Sequence, residues 1–291
     1  MRVSTGEKWF YAFNYVLLTL AGLSCALPIV HVAALSLSDS QAVLSGLVGL
    51  WPVGWTFGAY ESLIAGTGIV RAFRNSVTLT VVGVVLSMTF TIMAAYPLSR
   101  PYMAGRRFYT AAIVFTMLFG GGLIPTYMVV KALGLINTYA AIWLPGLVSA
   151  YNMLVLRSFF QQLPSELDDA SRMDGCGELR YLVRIALPLS LPVLAALTLF
   201  YAVGYWNAFQ NVLIYINSTE KLNMSVMVQQ MIRSQSLLQE MSYVQPDSSV
   251  GLTPESIKAA GIVASLLPML IIYPFLQKYF VKGMLLGSVK G

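Results

Sequence analysis

Few residues in this chain are equipped for covalent chemistry, and none are grouped. His31 is the only histidine, and the two cysteines sit in unrelated surroundings, Cys25 in an apolar run and Cys176 in a charged passage. They are not expected to pair, and they lack zinc-type spacing. No aspartate or glutamate falls inside any of the six long uncharged runs, so a nucleophile with its base has no parts to draw on. A phosphate-cradling loop needs Gly-x-x-x-x-Gly-Lys-Ser/Thr, and no Gly-Lys pair occurs. The sequence offers no catalytic residue, no metal ligand set and no cofactor site of its own. What remains is recognition chemistry, in one charged passage and one passage of aromatic and amide side chains.

The charged passage runs Glu166-Leu167-Asp168-Asp169-Ala170-Ser171-Arg172-Met173-Asp174-Gly175, and Ile185-Ala186-Leu187-Pro188 follows it. Ser165 and Asp168 spell a Ser-x-x-Asp capping signature, which predicts a helix starting there. Carboxylates at Glu166, Asp168 and Asp169 then complement the positive end of the helix dipole. Gly175 can adopt the left-handed conformation that stops a helix, leaving about nine residues, roughly 13 Å long. A second helix is expected from Glu178 towards Pro188. Ala170 and Ser171 are small enough for another protein surface to approach closely. The competing reading is a solvated loop that merely contains a stable helix.

The second passage spans 201–211. At about 100° per residue, Tyr201, Tyr205 and Phe209 share one helix face, while Trp206, Asn207 and Gln210 share another. Tyr151 and Asn152 have similar character. Sugars present apolar ring faces for stacking and hydroxyls for amide hydrogen bonds, so such residues suit a saccharide path. A packed aromatic core with interhelical amide bonds is the alternative for each of them.

The elements that must position these residues are membrane spans. Of 291 residues, 57% are hydrophobic and 10% charged, against roughly a quarter charged in soluble domains. Uncharged runs at 9–38, 75–99, 108–130, 132–156, 185–219 and 259–277 are each long enough to cross about 30 Å of hydrocarbon as a helix. The reading is an all-α multi-pass membrane protein with spans near 11–35, 75–98, 108–130, 136–156, 189–215 and 259–279. A seventh uncharged run, 40–60, carries Gly46, Gly49, Pro52, Gly54 and Gly58 beside Trp51 and Trp55, and reads as an interfacial loop. With both termini cytoplasmic, twelve basic residues fall inside and six outside, while acidic residues divide six and six. That follows the positive-inside rule. It also accounts for the net charge of +6 without nucleic acid, since the basic residues form no stripe. The segment 158–188 is then a cytoplasmic loop and 216–258 an external one. Met224, Met227, Met231 and Ile232 recur at helical spacing in that external loop and are expected to pack against neighbouring helices. An ion-coupled carrier acting alone calls for buried intramembrane charges, and an intramembrane enzyme for a catalytic constellation; neither is present.

The charged passage resembles the EAA loop of ATP-binding-cassette (ABC) importer permeases, written Glu-Ala-Ala, three residues, Gly, nine residues, Ile-x-Leu-Pro. Starting at Asp169-Ala170-Ser171, Gly175 follows after three residues and Ile185 after nine more, with Leu187 and Pro188 in place. Asp169 replaces the glutamate and Ser171 the second alanine. Arg74-Asn75-Ser76, the stretch from Ala94 to Arg100, Trp206-Asn207 and the tail from Tyr279 to Gly291 resemble carbohydrate-uptake permeases related to the second permease of the maltose importer. Gly120-Gly121-Gly122-Leu123-Ile124-Pro125-Thr126-Tyr127 is similar to a subgroup for oligo- and polysaccharides, including acidic ones such as alginate and pectin fragments. The resemblance implies a type I importer permease fold in the inner (cytoplasmic) membrane. It also implies a second, similar permease, two ATPase subunits that hold Mg-ATP, an external solute-binding protein and a carbohydrate substrate. Glu166, Asp168, Asp169, Ala170, Ser171, Asp174, Gly175, Leu187 and Pro188 would form the ATPase-coupling elbow. Lys282 and Lys290 would lie in a tail that reaches between the ATPase subunits, a frayed terminus being the alternative.

Overall fold

The computed structural model describes residues 5–242 and 253–288, with side chains described for residues 6–233 and 253–274. Every regular element among them is helical. The chain divides into two compact units, one made of 1–70 with 227–267 and the other of 71–226 with 268–291.

The first unit begins with α1 (Thr5–Ser36), whose residues 6–30 are exposed on all sides. A helix apolar all round needs an apolar surrounding, which lipid supplies. Asp39 caps the short α2 (Ser40–Leu44) by accepting a 3.1 Å hydrogen bond from the Gln41 amide. The loop after α2 folds back on α1. The Asp39 amide donates to Val53 O at 2.9 Å, and His31 Nδ1 lies 2.8 Å from Gly49 O. His31 is thus a loop tether. Trp51 and Trp55 point outward, and the run 40–60 holds only the five-residue α2 and the start of the next helix, neither long enough to cross a membrane. Leu63 of α3 (Gly58–Gly66) meets Val228 and Met231 around Gly261, and Met227 lies against Gly68. The methionine stripe is packing, as its spacing predicts.

In the second unit, α4 (Ile69–Ser99) turns one stripe inward: Ala72, Ser76, Leu79, Gly83, Ser87, Thr91 and Ala95 are all buried. Steps of three and four keep them on one face, and the small size of all but Leu79 lets another helix approach closely. That helix is α12 (Leu191–Trp206). Tyr205 OH lies 2.8 Å from Ser87 Oγ and Tyr201 OH 2.7 Å from Thr91 Oγ1, four-residue steps answering each other. At Gly83 a Cβ would stand 2.8 Å from the Tyr205 ring, so only glycine fits this contact without displacing it. Between α4 and α12 come α5 (Arg106–Leu118), α6 (Leu123–Ala132), α7 (Ala140–Trp143), α8 (Ala150–Gln161), α9 (Ser165–Met173), α10 (Glu178–Tyr181), a π-helical turn (Leu182–Ala186) and α11 (Leu187–Leu189). Then follow α12, α13 (Phe209–Tyr215), a 3-10 turn (Thr219–Lys221), α14 (Met224–Ser242) and α15 (Pro254–Ser288); residues 227–267 of the last two belong to the first unit.

Three expected spans are not continuous helices. The run 108–130 breaks at Phe119–Gly122, where Gly122 has φ +81°, and α5 and α6 lie 113° apart. The glycine cluster there serves as a break; a Cβ at Gly120 or Gly121 would meet nothing within 4 Å. The segment 136–156 holds only α7 and the start of α8, because Pro145 and Gly146 interrupt it. The segment 189–215 bends by 82° at Ser190, between Pro188 and Pro192, and breaks again at Asn207–Ala208. Among the described residues, three helices are long and apolar enough to cross a membrane, or five if each bent pair counts as one.

Candidate functional site

The charged passage folds as a helix, an elbow and a second helix. Pro164 precedes α9, and no side chain caps its first turn, so the expected Ser165–Asp168 capping pair does not form. Asp168 is occupied elsewhere. The other end is a complete Schellman stop: Gly175 has φ +70°, its amide donates to Arg172 O at 3.0 Å, and the Cys176 amide donates to Ser171 O at 2.8 Å.

A charge network holds the elbow. Arg100, just past α4, lies 3.5 Å from Asp168 and 3.7 Å from Glu178, with its side chain only 13% exposed. Arg172 lies 3.5 Å from Asp168 and 2.8 Å from Glu178, so two guanidiniums and two carboxylates alternate. Tyr96 and Tyr102 donate hydrogen bonds of 2.7 and 2.6 Å to the two Glu178 oxygens. The Arg100 guanidinium also lies 4.6 Å from the ring centres of both Tyr96 and Tyr181. Burial opposes its charge, but the Tyr96 hydroxyl and the Asp168 carboxylate outweigh that and raise its pKa above the ordinary value. Burial and the bond to Glu178 both raise the Tyr102 hydroxyl, which stays a proton donor. By contrast, Arg71 and Glu220 form a 3.6 Å pair with both side chains mostly exposed, a type that contributes about 0–1 kcal/mol.

This network divides the expected coupling residues by helix face. Leu167, Asp168 and Ser171 turn inward; Ser171 is 6% exposed, and its hydroxyl donates to Asp168 O at 2.8 Å. Glu166, Asp169, Ala170 and Met173 turn outward, with Met173 85% exposed, and Asp174 and Gly175 continue that exposed surface. Leu187 packs against the core beneath, and Pro188 is exposed. A small, acidic, apolar-tipped surface is therefore presented on a rigid base. Of the tail residues, Lys290 lies outside the described residues, as does the turn at 245–249, and the Lys282 side chain is not described.

The second feature is a cavity of about 510 Å³ between α7, α8, α12 and α13. Tyr151, Asn152 and Tyr205 line it, joined by Ser149, Tyr201 and Asn211, with Ile142, Gly146, Phe200, Gly204 and Ala208 between them. Its polar groups are hydroxyls and amides, and its lining has no ionised side chain. The Ser149 amide donates to Tyr201 OH at 2.9 Å, tying the start of α8 to α12. Trp206, Asn207 and Gln210 do not line it. Trp206 is buried edge-on against Phe73, with ring centres 5.9 Å apart, and Asn207 ends α12. The face assignment assumed a continuous helix through 211, whereas Ala208 (ψ 62°) restarts the turn and brings Asn211 into the lining.

The whole chain is similar to proteins already described. The family "Binding-protein-dependent transport system inner membrane component" matches residues 1–286. The Polygalacturonan/rhamnogalacturonan transport system permease protein YtcP of Bacillus subtilis (strain 168) is 41% identical over 287 residues, covering 98% of this chain and 99% of that protein. Protein LplC of the same organism is 40% identical over 293 residues, covering 100% of this chain and 98% of LplC. A chain in the crystal structure of a bacterial ABC transporter involved in the import of the acidic polysaccharide alginate superposes with a TM-score of 0.86. It is 31% identical to this chain, with 96% of this chain and 99% of that one covered.

Proposed function

We propose that this chain, which belongs to the family of binding-protein-dependent transport system inner membrane components, is the permease through which an ABC importer moves an oligo- or polysaccharide. It is a non-catalytic membrane subunit. ATP is hydrolysed by two partner ATPase subunits, a second permease completes the path, and an external solute-binding protein delivers the sugar. Six crossings with both termini in the cytoplasm remain our topology, each bent pair counting as one crossing, 136–156 as an irregular one and 158–188 as the cytoplasmic coupling loop. The observation that carries the reading is the outward face of Asp169, Ala170 and Met173, presented on a helix that four alternating charges fix from behind. Such a face suits a cleft on an ATPase: Met173 and Ala170 supply apolar contact and Asp169 a carboxylate for a basic partner. Motion of the cleft then moves the elbow, and the path alternates between inward and outward openings.

Two of the proteins named above, the polygalacturonan/rhamnogalacturonan permease and the alginate importer, point to an acidic polysaccharide, and the Tyr151, Asn152 and Tyr205 cavity suits sugar rings and hydroxyls. Because the cavity lining is uncharged, this half of the path recognises rings and hydroxyls in preference to carboxylates. The importer extracted in mild detergent is expected to retain both ATPase copies. Its ATPase activity should rise with binding protein loaded with oligogalacturonide or oligoalginate, and far less with maltodextrin. A complex without ATPase subunits, taking up sugar on an ion gradient alone, contradicts the proposal. Stimulation by maltodextrin alone contradicts the substrate class.

A further inference from the structure

We propose that Arg100 is the positioning residue that transmits movement of the coupling elbow into α4, and so into the wall of the sugar path. This rests on the reading that α9 docks on an ATPase subunit. Arg100 ends α4's extension and touches both sides of the elbow, Asp168 of α9 at 3.5 Å and Glu178 of α10 at 3.7 Å. Its guanidinium lies against the rings of Tyr96 in α4 and Tyr181 in α10, both at 4.6 Å. Three elements therefore converge on one largely buried planar cation, while the docking face lies on the opposite side of α9. A push on Asp169 and Met173 has a stiff, short route to α4 through this group. At its far end that route reaches Thr91 and Ser87, whose hydroxyls hold Tyr201 and Tyr205 at the cavity. The Arg172 guanidinium closes the same ring of charges but reaches no residue of α4, so it steadies the elbow without transmitting.

A planar fork stacked between rings and bridging two carboxylates is not replaced by an ammonium, so Arg100→Lys keeps the charge and removes the bridge. Complete importer in proteoliposomes is the system, with Ser165→Cys, one turn before Asp169 on the exposed side of α9, as a reporter of docking by disulfide crosslinking to a cysteine in the ATPase cleft. Arg100→Lys should leave the crosslink and the ATPase rate near wild type while sugar moved per ATP hydrolysed falls about tenfold. Arg100→Gln should do the same or more severely. A structural role alone lowers the amount of assembled complex and leaves sugar per ATP unchanged in what assembles; that result overturns the proposal. An unchanged ratio in Arg100→Lys with the crosslink intact also overturns it, and leaves the docking reading standing. No crosslink in the otherwise unaltered importer overturns the docking reading itself, and the proposal with it.

Discussion

Gly175→Val is expected to cut sugar uptake by about thirtyfold, while Gly175→Asn keeps at least half of it. At φ +70° a β-branched residue is strained by about 2 kcal/mol, whereas asparagine tolerates the left-handed region well. A Cβ at this position would meet nothing within 4 Å in its own chain, so the effect is conformational rather than steric crowding. Relief of the strain swings α10 relative to α9 and parts Arg172 from Glu178, now 2.8 Å apart. The docking face survives but is presented at the wrong angle. Uptake and ATPase rates of reconstituted importer measure this, alongside membrane insertion, which should be normal. Equal uptake for the valine and asparagine variants would show that the elbow angle does not matter.

Gly83→Val should have the second largest effect, acting on the sugar rather than on the motor. The Tyr205 ring lies where the new side chain must go, 2.8 Å from the Cβ position, and overpacking of this kind costs about 1–3 kcal/mol. The ring is pushed from Ser87 towards the cavity, so the apparent KM for sugar should rise about tenfold with basal ATPase unaltered. Adding Tyr205→Ala to Gly83→Val removes the clash and should recover part of the loss. If the double variant is worse than either single one, steric pressure between these two residues is not the cause.

The charged elbow was legible because short-range rules govern it: Gly175 stops α9, and Glu178 starts the next helix. Its division into two faces was not, because Arg100 pairs with Asp168 across a stretch of chain that no local pattern links. Asp168 and Asp169 look alike in sequence, and only the fold turns one inward and the other outward. The spans show a similar limit. An uncharged run reports that a segment tolerates hydrocarbon, but not that it is one helix, so the breaks at Gly122, Pro145–Gly146 and Ser190 escaped. Tyr151, Asn152 and Tyr205 fell on the cavity because aromatic and amide chemistry marks them. Trp206 carries the same chemistry and is buried against Phe73, which shows how far residue type alone reaches.

The proposed mechanism stands on the grip of an ATPase subunit on the outward face of α9. The most direct measurement puts single cysteines at Asp169 and at Asn217, which lies outside in the proposed topology, and tests each for crosslinking to the ATPase pair in native membranes. Position 169 should crosslink with a yield that changes when nucleotide is added, and position 217 should not crosslink at all. A cysteine at 169 that reacts only with an impermeant reagent from the external side, or that never reaches an ATPase subunit, contradicts it.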